Sequence, residues 1–357
     1  MRILYIPGRY AFCYYYRGYL PGVYSEQMVV SDFIRSNGAS TNSDTVVEMA
    51  VKADVVVMQR PNERNSLSLA KSIKRAGKKL IFENDDTYLA GKGIPLERLE
   101  NDAQRKIATE MSQIVKDVLK ISDGVIASTE TLAKEYAEIN PNVVVLKNCI
   151  DPLDEFPCKE NKTGKFRLGF IGSVTTNDDY LHIKDQIKRL DERGDITIVV
   201  LGVKYKDGTH LPFMQMDYDF WSSLKNVEWQ SYVPVAEYMM TVADLALDLA
   251  IIPRKDSYFN RCKSNIKFLE MSLLNIPVIA QGFADGTSPY QGVDSSYMSV
   301  VTDDNSWYDR VVEIKENYAT YSDLAKKAHD YVLDNYNIKD FAIEWTKAIN
   351  KLCQTKK

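Results

Sequence analysis

Histidine is the scarcest residue with acid–base chemistry in this chain. Of 357 residues only His182, His210 and His329 are histidine, and none precedes residue 150. That excludes a histidine base in the N-terminal half, and no Ser-His-Asp or Cys-His nucleophile set is visible. Cysteine is sparse as well. Cys13, Cys149, Cys158, Cys262 and Cys353 are odd in number, scattered, and not spaced for zinc or redox chemistry. This fits a reducing cytoplasm. No stretch reaches the ~18 uninterrupted apolar residues of a transmembrane helix. The opening Met-Arg-Ile-Leu-Tyr-Ile runs into a strand pattern rather than a signal peptide. The expectation is a cytoplasmic protein, with peripheral membrane contact through a surface helix left open. Neither sign of charge dominates: 45 Lys+Arg stand against 49 Asp+Glu, a net charge of −4. No global basic field therefore attracts nucleic acid or an anionic membrane. Short repeats and low-complexity segments are also absent.

What is present is ordinary globular material, 45% hydrophobic and 26% charged, with a surplus of tyrosine, 22 against 12 phenylalanines. The length suggests two domains. Short β-branched runs alternate with helical segments, the pattern of parallel α/β architecture. The first half reads as strands at 2–6, 54–59, 78–83, 124–127 and 143–147, with helices at 25–36, 63–76, 96–121 and 130–138. Residues 150–164 have no periodicity and read as a linker. The pattern then restarts with strands at 166–171, 196–201, 227–229, 245–252 and 276–280, and helices at 180–191, 235–242 and 263–274. Three helices, 305–318, 321–335 and 338–353, close the chain. The expected domains are 1–155, joined by the C-terminal helix 338–357, and 156–337.

Residues 259–280 carry the most specific pattern. On a helix starting near Lys263, residues Lys263, Lys267 and Glu270 fall within an arc of ~60°. Ile266, Leu269 and Leu273 form a neighbouring apolar face. Two cations and a carboxylate beside a helix N-terminus suit a ligand with phosphates at one end and a hydroxylated sugar at the other. The alternative is a solvated Lys/Glu face.

The string Phe259-Asn260-x-x-Lys263-Ser264-Asn265-x-Lys267-x-x-Glu270, followed by Ile276-Pro277-Val278-Ile279-Ala280, resembles the donor-binding helix of GT-B-fold glycosyltransferases. It is most similar to glycosyltransferase family 4, also called glycosyl transferases group 1. The resemblance implies two Rossmann-like domains facing a central cleft, with the last helix crossing back to the N-terminal domain. It implies transfer of a sugar from a nucleotide sugar (UDP-, GDP- or similar) to a glycan, lipid-linked or other hydroxyl acceptor, with no divalent metal required. By this resemblance Glu270 contacts the ribose, while Lys263, Lys267 or Arg254 neutralises the diphosphate. Many retaining members carry a second acid eight positions before the final Glu; here that position is Cys262.

Other candidates lie at strand ends, where open α/β sheets bind ligands. Gly172 and Ser173 end the first strand of the second half. Their glycine loop admits phosphate to backbone amides or makes a plain turn, and the resemblance favours the diphosphate. Ser264 and Asn265 would offer helix-start amides. Arg254 reaches a phosphate or is solvated. In the N-terminal half Gly8, Arg9, Tyr10 and Arg17, amid further tyrosines, bind an acceptor or form a surface loop over the core. Asp85 and Asp86 act as general base or bind the acceptor; a helix cap or solvated loop is the alternative. A sugar-nucleotide epimerase or hydrolase, a non-catalytic nucleotide-binding protein, and a nucleic-acid-modifying glycosyltransferase are the competing functions.

Overall fold

The computed structural model describes residues 1–8, 11–31, 44–90, 101–172, 179–203, 208–210 and 215–354. By its contacts the chain divides into two units. The first comprises Met1–Asp151, Arg261–Ser264 and Tyr336–Lys357, and the second Pro152–Asn260 and Asn265–Asn335. The sequence pattern had placed the division a few residues later, and had put Lys263 and Ser264 in the second part.

The first unit is built on a parallel sheet of β1 (Ile3–Ile6), β2 (Met28–Val29), β3 (Val55–Gln59), β4 (Lys79–Asn84), β5 (Gly124–Ala127) and β6 (Val143–Val145), in the order β2-β1-β3-β4-β5-β6. Strands β1, β3 and β5 are buried throughout their length. They read as continuous apolar runs because helices cover both faces of a parallel sheet. The edge strand β2 corrects the expected helix at 25–36. Leu4 and Tyr5 pair with Met28 and Val29, and 32–43 lie outside the described residues. The alternative of a surface loop around Arg17 is also corrected: a π-helical turn, Tyr15–Tyr19, follows helix Ala11–Tyr14. The C-terminal helix Ile338–Gln354 belongs to this unit and lies close against β5. A Cβ on Gly124 would come within 2.7 Å of Leu352 Cβ, so only glycine lets helix and strand approach this far.

The second unit has its own parallel sheet: β7 (Phe166–Ile171), β8 (Ile196–Leu201), β9 (Val227–Gln230), β10 (Leu249–Ile252), β11 (Val278–Gln281) and β12 (Ser299–Val301). The order β12-β11-β10-β7-β8-β9 is the classic Rossmann arrangement, with strand order reversing between β7 and β10. Its core gathers Leu168, Phe170, Ile198, Val200, Trp221, Leu249, Ile251 and Ile279. Among the described residues no helix is long and apolar enough to cross a membrane.

Candidate functional site

In the second unit the loops after β7 and β10 leave the sheet at its topological switch point, the place where such folds take ligands. Gly172 follows β7 and Arg254 follows β10; both line one cleft with Asp179, Lys267 and Met271. Ser173 lies outside the described residues. Arg254 is not solvated, as one expectation had it, but 6% exposed. Its Nη1 donates to Asp179 Oδ2 at 3.2 Å and to Asn260 Oδ1 at 3.3 Å, and its Nε reaches Tyr290 Oη at 3.4 Å.

Lys267 enters the cleft from helix Ile266–Leu273, which packs against β11 and is buried from Phe268 to Leu273. The helix starts at Ile266, three residues later than the periodicity suggests. Lys267 Nζ donates to Glu270 Oε2 at 2.8 Å and to Tyr238 Oη at 2.6 Å. Tyr238 Oη in turn donates to Glu270 Oε2 at 2.9 Å. Burial, and then the Glu270 charge, push the Tyr238 phenol well above its ordinary range, so it stays a donor. Glu270 is 2% exposed, with one oxygen taken by these two partners. It is an oriented acid rather than part of a solvated face. Asn265 precedes the helix without a side-chain cap.

Lys263 and Ser264 are not on this helix, which corrects the expected Lys263–Lys267–Glu270 face. Both belong to the first unit. There the Lys263 ammonium pairs with Asp86, and Ser264 Oγ accepts from Asn148 Nδ2 at 2.7 Å. Cys262, which occupies the position of the family's second acid, is buried in the first unit's core. Its carbonyl accepts from Thr129 Oγ1 at 2.9 Å.

The switch point of the first unit lies between β1 and β3, and its polar groups are packed against one another. A Cβ on Gly8 would stand 2.5 Å from Gln59 O. The glycine therefore lets the backbones after β1 and β3 approach closely. Arg60, at the end of β3, has φ +49 in the left-handed region and precedes Pro61. That backbone is strained for a side-chain-bearing residue. Its guanidinium, 3% exposed, pairs with Asp86 and, at 2.7 Å, with Asp85. Asp86 is thus held by Arg60 and Lys263 and is 2% exposed, so the general-base role is withdrawn for it. Burial raises the Asp85 carboxyl, but Arg60, Lys263 and Arg17 outweigh it and hold the group below the usual range. Asp85 is thereby an ionised hydrogen-bond acceptor and a weak base.

Arg17 is fully buried, which removes it from acceptor binding. Its Nε donates to Glu83 Oε1 at 2.6 Å and its Nη1 to Leu146 O and Asn148 Oδ1, above the Trp345 ring. Burial pushes Glu83 up to about 8 against the pull of Arg17. Arg9 and Tyr10 lie outside the described residues. Among the described residues no cluster of three or more His, Cys, Asp or Glu side chains is arranged to hold a metal ion.

Sequence reading passed over Arg60, Asp179 and Tyr238, and quoted Asn260 in the motif without giving it a role. A basic residue after β3, before a proline, was the one available signal for Arg60. The other three acquire meaning from partners far along the chain.

No protein-family model matches the chain, and no curated protein sequence matches it. Solved structures do. HepE from Anabaena, in complex with UDP and glucose, superposes with a TM-score of 0.69 at 11% identity, over 98% of this chain and 99% of that one. The fold is that of the GT-B glycosyltransferases. An α-glucosyltransferase in complex with UDP-glucose and abasic-site DNA gives a TM-score of 0.62 at 11% identity, covering 98% of both chains. Sucrose-phosphate synthase from Thermosynechococcus elongatus gives 0.60 at 12% identity, over 86% of this chain and 78% of that one.

Proposed function

We propose that this chain is a glycosyltransferase that takes its sugar from a nucleotide donor held by the second unit. The observation that carries the reading is the meeting of Gly172, Arg254 and Lys267 around one cleft at the β7–β10 switch point. HepE and the α-glucosyltransferase, solved with UDP, glucose or UDP-glucose, share this fold and support the choice of ligand class. In this reading Glu270, aimed by Tyr238 and Lys267, accepts from the ribose hydroxyls. Arg254, Lys267 and amides near Gly172, Ser173 and Asn265 receive the diphosphate.

Transfer then rests on stabilising the leaving nucleoside diphosphate as the glycosidic bond breaks. That role is assigned to these cations and amides rather than to a metal. On the acceptor side, Asp85 accepts a hydrogen bond from the incoming hydroxyl. Gly8, Arg9 and Tyr10 belong to the same proposed acceptor side.

A thermal-shift screen with UDP, GDP, ADP and their sugar conjugates tests the reading. A ligand at a hundred times its Kd stabilises the protein by about 2.7 kcal/mol, which gives a clear shift. Glu270→Ala should abolish most of that shift. The absence of a shift with every nucleotide, together with no sugar transfer to any acceptor tried, would overturn the assignment. Rapid consumption of donor without acceptor would point instead to an epimerase or hydrolase.

A further inference from the structure

We infer that Asp179 is a counter-charge to Arg254 that weakens the grip of the cleft on nucleoside diphosphate and so speeds its departure. The inference rests on the donor-site reading above. Each cation of the cleft already has an acid: Asp179 for Arg254, Glu270 for Lys267. Among the described residues that line the cleft and their ion-pair partners these four formal charges cancel.

The two pairs are built differently. Lys267 and Glu270 are 2.8 Å apart and share Tyr238. Arg254 reaches Asp179 only at 3.2 Å, beyond the roughly 2.7–2.9 Å of a strong charge-assisted bond. Asp179 does not depend on Arg254 for its place. Its Oδ1 accepts from Asn260 Nδ2 at 2.7 Å, and the same Asn260 amide also donates to Lys255 O at 2.9 Å. The acid is therefore anchored independently of the guanidinium. A phosphate oxygen can take Arg254 from Asp179 without moving the carboxylate. The carboxylate, 4% exposed and poorly screened, then faces the phosphate as a like charge. A nucleoside diphosphate carries one more negative charge than the nucleotide sugar it comes from. The repulsion thus falls more heavily on product than on donor.

The test is calorimetric titration of UDP, GDP, UDP-glucose and inorganic pyrophosphate into the full chain and its Asp179→Asn and Asp179→Glu variants. The amide oxygen of Asp179→Asn still accepts from Asn260 while the charge is gone. Its expected result is tenfold or tighter binding of the nucleoside diphosphate, a smaller gain for the nucleotide sugar, a steeper loss of affinity with salt, and a lower kcat. Asp179→Glu keeps the charge and should not reproduce that gain; a gain equal to that of Asp179→Asn overturns the inference. If Asp179→Asn melts before it can be titrated, Asp179→Ser gives the same readout. A folded, uncharged variant that binds nucleoside diphosphate no more tightly than a binding wild type overturns the inference alone. Absence of binding to wild type and variants alike overturns it together with the donor-site reading.

Discussion

The two sheets end in the same way and use their ends differently. Both are parallel, both reverse strand order once, and both carry glycine and arginine at the reversal. In the first unit Gly8 brings backbone against Gln59 and Arg60, and the ionisable side chains behind it are closed into pairs: Arg17 with Glu83, Arg60 with Asp85 and Asp86, Lys263 with Asp86. In the second unit Gly172 and Arg254 stand apart around a cleft, and the arginine is held by contacts of 3.2–3.4 Å. The two switch points share a topology and differ in what surrounds them. The charged groups of the first are packed against one another, whereas Arg254 and Lys267 of the second line a cleft. A buried pair costs stability when one partner is removed.

The comparison can be broken by mutation. The largest effect is expected for Arg60→Ala, which takes the guanidinium from Asp85 and leaves Asp86 with Lys263 alone. It should cost about 3–5 kcal/mol in urea unfolding. A loss near zero would mean that this edge is not locked. Gly8→Ala forces a Cβ onto Gln59 O and should cost about 1–3 kcal/mol in the same assay, with donor binding by the second unit unchanged. Weakened donor affinity in a stable Gly8→Ala protein would contradict the division of roles.

A pH effect comparable in size to that of Arg60→Ala is also expected. Glu83 is raised from the ordinary 4.5 to about 8, so burial favours its protonated form. The stability it contributes is complete below about pH 4.5 and is lost as pH rises through 8, by up to about 1.4 kcal/mol per pH unit. Glu83→Gln should flatten the fall between pH 5 and 8, and an identical profile in the variant would rule the effect out. The smallest effect is expected for Tyr238→Phe, which removes one donor from Glu270 in the second unit. Nucleotide affinity should fall by about 1 kcal/mol, roughly fivefold, while the fold is kept. Unchanged affinity in titration would show that Tyr238 does not orient Glu270.

Much of the fold was legible because it is written in local pattern. Apolar runs of four to six residues between amphipathic helices mark a parallel sheet, and the glycine and arginine after β7 and β10 mark the rim of the cleft. The errors share one cause. Lys263-Ser264-Asn265 is compatible with a helix start, so periodicity extended the helix to Lys263. The chain instead gives Arg261–Ser264 to the first unit, where Asp86, Thr129 and Asn148 hold them. The two-residue strand β2 exists only because Leu4 and Tyr5 are there to pair with it. Arg17, in a run of tyrosines, resembles a binding residue until Glu83, 66 positions away, is placed beside it.

Sequence alone determined the alternating architecture, the restart of the pattern in the second half, and the residue types available to meet a phosphate and a sugar, since these follow from hydrophobic period and side-chain chemistry. Tertiary structure alone decided which cation each acid holds. Burying a charge is tolerable only beside a partner, and those partners come from distant strands that no spacing along the chain reveals.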